Sequence, residues 1–279
     1  MREDLQKKVD RAVRLLQSYK KSEPIEVCYS GGKDSDVILE LVKMAGIPYR
    51  AIYKNTTIDP PGTIKHAKEM GAEIVQPKIS FLKLIEKKGL PTMRARFCCE
   101  KLKEYKILDS AVQGVRRSES TKRAQRYSEE DPIICRIYGA KKNHVNVFLP
   151  ILSWTDEDVA EFIEEWQIQC HPLYYDEQGN FHVERRLGCI GCPLASAKRK
   201  GDYKQYPKLF YLVMKAASKW WDNHPQTSSH KKFECIHDLM FHDLFTNSYE
   251  DYRAKKYNLF GTLDTKELLE EYFNIKLDF

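Results

Sequence analysis

The sequence predicts an α/β protein in which helices cover both faces of a parallel twisted sheet, followed by a helical C-terminal portion. Three observations support this fold class. Short apolar runs alternate with segments of helical periodicity up to about residue 165, as in strands joined by crossover helices. A loop with the sequence SGGKDS, at residues 30–35, separates the first such run from the first such helix. After residue 165 the alternation stops and helical patterns dominate.

The strands are predicted from short apolar or β-branched runs that are bounded by turn residues. The first run follows Pro24 and ends directly before the SGGKDS loop. Because each run is separated from the next by a helical pattern, we expect neighbouring strands to be parallel. The predicted strands cover residues 25–29, 49–53, 73–76, 111–116 and 145–150.

The helices are predicted from apolar spacing and from residues that begin or end helices. Val37, Ile38 and Leu41 share one face of a helix that Gly46 ends. Gly71 stands where a C′ glycine belongs, and Thr155 can cap the helix that follows it. The predicted helices cover residues 1–21, 36–45, 63–70, 81–88, 100–110, 156–166, 206–223, 233–245 and 265–273.

These elements predict three parts of the chain. Residues 1–22 form a leading helix and residues 23–165 a nucleotide-binding core. Residues 166–279 hold a cysteine-containing loop and the helical C-terminal portion. With 279 residues the chain can bury one large domain, or one domain and a smaller one.

Charge and hydropathy narrow the function classes. The net charge is +6, and basic residues concentrate between positions 93 and 126, which suits phosphate-rich ligands. No apolar run approaches the roughly 20 residues that a membrane span needs, and the charged N-terminal helix is not a secretion signal. We therefore expect a cytoplasmic protein without a membrane partner. The sequence predicts no oligomeric state.

The SGGKDS loop has the chemistry of a phosphate site. A loop between a parallel strand and its helix lies at the carboxyl end of the sheet, where open α/β sheets bind ligands. Gly31 and Gly32 let backbone amides approach a ligand, Ser30 and Ser35 add hydroxyls, and Lys33 adds a positive charge. The amides at the start of the following helix point to the same place. The loop therefore predicts a cradle for a di- or triphosphate.

SGGKDS resembles the PP-loop (S-G-G-x-D-S) of the ATP pyrophosphatase superfamily. Further segments resemble the phosphoadenosine phosphosulfate (PAPS) reductase family within that superfamily: GVRRSESTKRAQR at 114–126, PILSWTDEDVAEFI at 150–163 and HPLY at 171–174, where His171 replaces the usual Asn. The resemblance spans roughly residues 25–245. It implies an adenine nucleotide alpha hydrolase-like fold.

The resemblance implies a site for ATP with magnesium, or for an adenosine sulfonucleotide. In the superfamily a substrate oxygen attacks the α-phosphorus, AMP is transferred and pyrophosphate leaves. By this likeness Lys33 and Asp34 are the catalytic residues: Lys33 stabilises the leaving charge, and Asp34 assists magnesium or the loop geometry. The residues expected to bind the nucleotide are Ser30, Gly31, Gly32, Ser35, Asp59, Arg116, Arg117 and Arg123.

Four of the eight cysteines predict a metal centre. Cys98 and Cys99 are adjacent, and Cys189 and Cys192 form a CxxC pair. Two thiolate pairs can share one metal, and zinc commonly takes such ligands. A tandem pair with a CxxC also resembles the 4Fe–4S ligands of adenosine phosphosulfate reductases, which favours a 4Fe–4S cluster, with zinc as the alternative. We interpret Cys235 as structural, although its surroundings resemble the motif of a reductase nucleophile. We interpret Trp220–Trp221 as helix packing rather than as a base-stacking platform.

Three functions remain open on the sequence. The first is an ATP-consuming enzyme that adenylates an acceptor for sulfur transfer, similar to the DNA phosphorothioation ATPase or to tRNA thiolation enzymes. Nucleic acid and a sulfur-donating or DNA-binding protein are its candidate partners. The second is a phosphoadenylyl- or adenylyl-sulfate reductase that releases sulfite with thioredoxin. The third is a non-catalytic nucleotide-binding subunit. The acceptor substrate is not predicted.

Overall fold

The structure is a computed structural model that describes residues 1–128, 131–138, 143–259 and 261–279. Its contacts group the chain into two compact units that interleave along the sequence. The first unit comprises Met1–Pro77 and Cys99–Gly188, and the second unit comprises Lys78–Cys98 and Cys189–Phe279. The helices in chain order are α1 Glu3–Gln17, α2 Lys33–Ala45, α3 Thr63–Glu69, α4 Phe81–Lys88, α5 Phe97–Leu102, α6 Thr121–Arg126, α7 Asp156–Glu165, α8 Ser196–Gln205, α9 Pro207–Asn223, α10 Ile236–Phe245, α11 Tyr249–Lys256 and α12 Thr265–Phe273.

The described part of the first unit contains a six-stranded sheet with the strand order β3-β2-β1-β4-β6-β5. Every neighbouring pair is parallel except β5 and β6. The predicted fold class, a mostly parallel sheet with helices and a helical C-terminal portion, is confirmed. The strands of this sheet are β1 Ile25–Tyr29, β2 Tyr49–Lys54, β3 Glu73–Val75, β4 Ser110–Val112, β5 Ile133–Tyr138 and β6 Asn143–Phe148.

Strand β5 departs from the all-parallel expectation and was not predicted. It runs antiparallel to β6, with Ile133 opposite Phe148 and Tyr138 opposite Asn143. Only residues 139–142 separate the two strands in the sequence, and a connection that short permits an antiparallel pair but not the crossover that a parallel pair needs.

Apolar side chains from alternate positions of the strands build a separate cluster on each face of the sheet. Val27, Val112 and Phe148 belong to the larger cluster, whereas Ala111 and Val147 belong to the smaller one. The larger cluster also takes in the buried faces of α1, α2 and α7. Strands β1 and β4 are covered on both faces, and even their polar residues Glu26 and Ser110 are buried.

The second unit is mainly helical. Helix α4 packs on α9, and α10 packs on α8, α9, α11 and α12. Phe210 and Phe273 lie against each other at a ring separation of 4.0 Å, and Phe233, Phe241 and Tyr252 form a second buried cluster. The short strands β7 Tyr257–Asn258 and β8 Gly261–Thr262 pair with each other.

Two element predictions were wrong and three helices were missed, one of them the short and mostly polar α6. The helix expected at 100–110 corresponds to α5, which already ends at Leu102. A longer helix is prevented because Lys106 has a left-handed φ of 49° and the Leu108 amide donates to the buried carboxylate of Glu26 (3.0 Å). The strand expected at 111–116 ends at Val112, and the chain then leaves the sheet. Helices α8 and α11 were missed because their sequences are mostly polar and lack a long apolar stripe.

Candidate functional site

The SGGKDS loop connects the end of β1 to the start of α2 at the carboxyl edge of the sheet. Strand β1 lies between β2 and β4. The chain continues from β1 to β2 on one side, and β4 begins the other half of the sheet, so the strand order reverses beside this loop. Open α/β sheets bind ligands at such a position. Gly31 has a φ of 78°, and a Cβ there would lie 2.8 Å from Thr63 Cγ2. Both the backbone conformation and the space therefore require glycine at this position.

Ser35 fixes the shape of the loop. Its hydroxyl donates to the Gly32 carbonyl at 2.6 Å, and its backbone amide donates to the same carbonyl at 2.8 Å. The Ser30 hydroxyl lies 3.3 Å from the Ser35 hydroxyl. Ser30, Gly31, Gly32 and Ser35 are thus brought together around the first turn of α2.

Tyr174 supports the loop, although the sequence did not single it out. Its hydroxyl accepts hydrogen bonds from the amides of Lys33 (3.2 Å) and Leu187 (3.3 Å). Burial raises the pKa of Tyr174, so the hydroxyl stays protonated and can also donate. Lys33 Nζ lies 5.5 Å from the centre of the Tyr174 ring, a cation–π distance. The HPLY segment therefore supports, through Tyr174, the loop that is predicted to bind phosphate.

Two positive side chains meet on Asp34. Lys33 Nζ lies 3.2 Å from Asp34 Oδ2, and Arg116 Nε donates to Asp34 Oδ1 at 2.7 Å. The Arg116 guanidinium also donates to Asp156 (2.7 Å) and Ser118 (3.1 Å). Lys33 and Arg116 are both almost completely buried. Their attraction to one carboxylate is therefore weakly screened, and it holds both cations beside the loop.

Arg117 follows Arg116 in the chain, and Arg123 and the unpredicted Arg186 lie near the pair. Arg117 begins a 3-10 turn, where its amide donates to the Leu152 carbonyl (2.9 Å), and Arg123 forms an ion pair with Glu119. Burial lowers the pKa of Arg123, and the nearby charge of Arg186 lowers it further. Arg186 donates to the Glu119 carbonyl at 3.2 Å. The two guanidinium groups repel each other, and an anion bound beside them would reduce this repulsion.

Asp59 belongs to the loop after β2. Its Oδ2 accepts from the Tyr53 hydroxyl (2.6 Å) and from the Thr56 amide (3.3 Å). These bonds tie the NTTIDPPGT segment to the end of its strand. The carboxylate thus holds the loop in place, and its role in nucleotide binding stays a prediction.

A buried polar cluster lies behind the loop. Asp36, in the first turn of α2, contacts the Tyr29 hydroxyl and His66 Nε2, the latter at 3.1 Å. Burial raises the pKa of Asp36. His171 stands beside His66 at a ring separation of 5.8 Å, and its Nδ1 accepts from the Leu173 amide at 3.1 Å. The histidine therefore caps the short 3-10 turn Pro172–Tyr174.

The CxxC pair lies in a tightly held turn of the second unit. The Cys192 amide donates to the Cys189 carbonyl (3.3 Å), and Gly191 has a φ of 67°. The Gly191 amide donates to Asp202 (3.1 Å), and its carbonyl accepts from the buried Arg199 (3.1 Å). A Cβ at Gly191 would meet the Tyr203 ring at 2.2 Å. These contacts hold the turn in place and leave both cysteines half-buried. Two cysteines that are already oriented in this way suit a metal-ligand pair.

Cys98 and Cys99 lie in the first turn of α5 and are half-buried as well. Across the described ranges, no three His, Cys, Asp or Glu side chains are grouped so as to hold a metal ion. The four-cysteine centre therefore stays a prediction.

The profile of the phosphoadenosine phosphosulfate reductase domain matches residues 24–195 of this chain. That span contains the SGGKDS loop, the arginine cluster, the HPLY turn and both cysteine pairs. The chain belongs to this family. The predicted family is thereby confirmed.

Relatives of this PAPS reductase family member include proteins with and without an assigned activity. An uncharacterized protein of Methanocaldococcus jannaschii is 31% identical over 217 residues, which is 72% of this chain and 48% of the relative. Sulfate adenylyltransferase subunit 2 of Shewanella pealeana is 29% identical over 182 residues, 54% of this chain and 60% of the relative. The chain thus spans about half to three fifths of these relatives.

Solved structures resemble this PAPS reductase family member only loosely. The U34-tRNA thiolase NcsA from Methanococcus maripaludis, described with its [4Fe-4S] cluster, aligns with a TM-score of 0.45 and 16% identity over 77% of this chain and 79% of that one. The PAPS reductase from Candida auris aligns with a TM-score of 0.41 and 14% identity over 65% and 97% of the two chains.

In this PAPS reductase family member, burial raises the pKa of the Cys235 thiol and has a larger effect than the backbone amides of His237 and Asp238, which lower it. Cys235 directly precedes the first residue of α10. A nucleophilic cysteine needs a lowered pKa, because the thiolate is the reactive form. Cys28, at the sheet, has its pKa raised to about 12 by burial. Both observations support the interpretation of these cysteines as structural.

Among the helices that the structure describes in this PAPS reductase family member, none is both long enough and apolar enough to cross a membrane.

Proposed function

We propose that this protein binds ATP with magnesium at residues 30–35 and transfers AMP to an acceptor that is activated for sulfur transfer. The observation that carries the proposal is the convergence of Lys33 Nζ and the Arg116 guanidinium on Asp34, beside a glycine loop in which Gly31 has a left-handed φ of 78°. The family membership supports the same chemistry.

Each residue of the loop takes a specific part in the proposed reaction. An acceptor oxygen attacks the α-phosphorus, and the bond between the α-phosphorus and the bridging oxygen to the β-phosphate breaks. Pyrophosphate then carries the developing negative charge, which Lys33 and the amides of the loop stabilise. Ser30 and Ser35 add hydroxyl donors, and Asp34 keeps Lys33 and Arg116 aimed at the phosphates. Magnesium would bind Asp34 through the carboxylate lone pairs that Lys33 and Arg116 leave unused.

The arginine cluster binds the remaining anionic group. Arg117 and Arg123, predicted from the sequence, and Arg186, found in the structure, present guanidinium groups, which pair bidentately with phosphate or sulfate oxygens. A nucleotide with a second anionic substituent, or an anionic acceptor, would fit this cluster.

The test is the release of pyrophosphate. Protein purified without oxygen is incubated with ATP and magnesium, with and without nucleic acid, and AMP and pyrophosphate are measured. We expect Lys33→Ala and Asp34→Ala to abolish turnover while the far-ultraviolet circular dichroism spectrum is unchanged. Lys43→Ala, on the exposed side of the same helix, is the matched control. Turnover by Lys33→Ala equal to that of the unaltered protein would refute the assigned role of the loop.

We propose that Cys98, Cys99, Cys189 and Cys192 hold a 4Fe–4S cluster. The fixed CxxC turn supports this assignment, because ligands that are already oriented bind metal with less ordering cost. A bound cluster would supply a site for holding sulfur or for electron transfer. We expect a brown anaerobic preparation that contains iron and acid-labile sulfide, and expect Cys98→Ala to lose both. The exposed Cys135, replaced by Ala, is the control, and a colourless protein with stoichiometric zinc favours the alternative metal.

A sulfonucleotide reductase is the second candidate, because the matching profile is that of the PAPS reductase domain. In that reaction a cysteine thiolate attacks the sulfur, and thioredoxin then releases sulfite. The raised pKa of Cys235 disfavours it. Sulfite production from a sulfonucleotide and reduced thioredoxin, lost in Cys235→Ser, would reverse the order of the two proposals.

A further inference from the structure

A groove in the second unit lies outside the residues that the family profile matches. Its volume is about 440 Å³, within the range of ligand sites. It is formed by the end of α9, the loop that follows it and the start of α11. The side chains that bear on its chemistry are Trp221, Lys231, Lys232, Tyr249, Arg253 and Tyr257, which together we call the aromatic groove.

The two adjacent tryptophans of α9 have different roles. Trp220 is buried against Gly89, where an added Cβ would lie 2.7 Å from the indole, so its role is helix packing as expected. Trp221 packs on the cluster of Phe233, Phe241 and Tyr252 but also lines the aromatic groove, where it stacks on His230 with ring centres 3.7 Å apart and planes 27° apart. Tyr257 lines the groove too and is 43% exposed. The groove therefore offers aromatic rings at its surface.

The charge of the aromatic groove is positive and its acids are already neutralised. Glu234 is paired with Lys256 at 2.8 Å and accepts from the Tyr257 hydroxyl. Among the ion pairs in the described part of the chain, none engages Lys231, Lys232 or Arg253. Lys232 Nζ lies 5.7 Å from the centre of the Tyr249 ring, a contact that leaves its charge, like those of Lys231 and Arg253, able to attract an anionic partner.

A second cavity extends the aromatic groove. Its volume is about 340 Å³, and it shares Lys232, Phe233 and Tyr249 with the groove. It adds Lys88 and Ser229 to the lining, and its acid Asp243 is paired with Arg199 at 2.7 Å. The two cavities form a track in which basic and hydroxyl side chains accompany aromatic rings, and a track suits a polymer better than a single small molecule.

We infer that the aromatic groove binds single-stranded nucleic acid. Lysine and arginine side chains would contact successive phosphates, and unpaired bases would stack on Trp221 and Tyr257. An acidic peptide could pair with the cationic side chains but would not stack on the aromatic rings. In a duplex the bases stack on one another, so their faces cannot stack on the protein. The inference does not depend on the proposed transfer of AMP, because the groove and the SGGKDS loop share no residue.

Binding is measured by fluorescence anisotropy with a labelled oligothymidylate of about 20 nucleotides, longer than the roughly 4–16 that one such site covers. We expect Trp221→Ala to weaken binding about tenfold, the size of the loss of one stacked base, and Trp221→Phe to restore most of it. Replacing Lys231 and Lys232 by Ala should reduce the slope of log Kd against log salt by about 1.4, as expected for two phosphate contacts with a single strand.

Lys208→Ala is the matched control, because this exposed lysine lies on the first turn of α9 away from the groove. It should bind like the unaltered protein. The inference is overturned if the oligonucleotide does not bind, if Trp221→Ala and the double lysine variant bind unchanged, or if polyglutamate or a duplex of equal length competes as well as the single strand. ATP turnover without nucleic acid, measured on the same variants, reports separately on the proposed function and should be unchanged.

Discussion

At the scale of single residues, the most consequential feature is a buried arginine that serves two carboxylates. Arg116 is 1% exposed and bonds to Asp34 and Asp156 at 2.7 Å each. Asp34 is also the partner of Lys33. If the arginine is removed, Asp34 keeps only the lysine, and the lysine is drawn away from the phosphate that it is proposed to bind.

Arg116→Ala should therefore lower both stability and nucleotide affinity. Removing one partner of a buried ion pair typically costs about 3–5 kcal/mol, and the value should lie near the lower end here because Asp156 is half exposed. Urea denaturation and ATP titration measure the two effects. Arg126→Ala removes a guanidinium in the last turn of α6 and should change neither. Full ATP affinity in Arg116→Ala would contradict the assigned position of this residue at the site.

His171 should make stability depend on pH. Burial lowers its pKa, and the neighbouring His66 lowers it further. As the pH falls through the ordinary histidine value of about 6.5, the unfolded chain takes up a proton that the folded imidazole takes up only at lower pH, so acid favours unfolding.

His171→Asn keeps a cap acceptor and removes the titrating group. Between about pH 8 and pH 5.5, its melting temperature should fall less than that of the unaltered protein. His144→Asn changes an exposed histidine and should keep the original pH dependence. Parallel curves for the His171 variant and the unaltered protein would show that this histidine does not titrate on unfolding.

At the scale of elements, the strand–loop–helix of residues 25–45 was predictable because all of its signals are local. The apolar run, the glycines and the helical spacing each specify their own conformation. Tyr174 and Arg186 were not predictable as partners of this loop, because their contacts join segments distant in the sequence. The shortening of α5 has the same cause. The Leu108 amide does not continue the helix, because it donates to Glu26 of β1, which is distant in the sequence.

Gly31→Ala should test how strictly the loop is shaped. The left-handed φ costs an alanine about 1–2 kcal/mol, and the clash with Thr63 Cγ2 adds to that cost. Combining it with Thr63→Ser removes the methyl group but keeps the hydroxyl that donates to the Pro60 carbonyl (2.7 Å). In urea denaturation, the double variant should recover the part of the unfolding free energy that Gly31→Ala loses through the clash with Thr63. The part that is lost through the left-handed φ should not be recovered. Equal stability of Gly31→Ala and the unaltered protein would refute the strain.

At the scale of the whole molecule, the two units interleave along the chain. Residues 78–98 contribute α4 to the second unit, whose other helices all come after residue 188. The apolar side chains Phe81, Leu84 and Ile85 are buried, and α4 packs on α9. The second unit therefore needs two separate stretches of sequence.

A chain that ends after Gly188 should aggregate, because it keeps α4 but lacks α9. The exposed face of α4 would be an apolar patch of the kind that soluble proteins avoid. Light scattering and size-exclusion chromatography measure this, and replacing Phe81, Leu84 and Ile85 by Ser in the shortened chain should restore a monodisperse protein. A shortened chain that is monodisperse without those changes would contradict the packing of α4.

The strand order also has a consequence for the growing chain on the ribosome. Glu26 of β1 pairs with Ala111 of β4, so the central strand lacks one neighbour until a distant stretch of sequence has been synthesised and has left the exit tunnel. Such non-local pairing is slow to form, and the proposed nucleotide site is incomplete before it. ATP should consequently protect stalled nascent chains from protease only once they extend well past Ala111, and shorter ones should be cleaved equally with and without it.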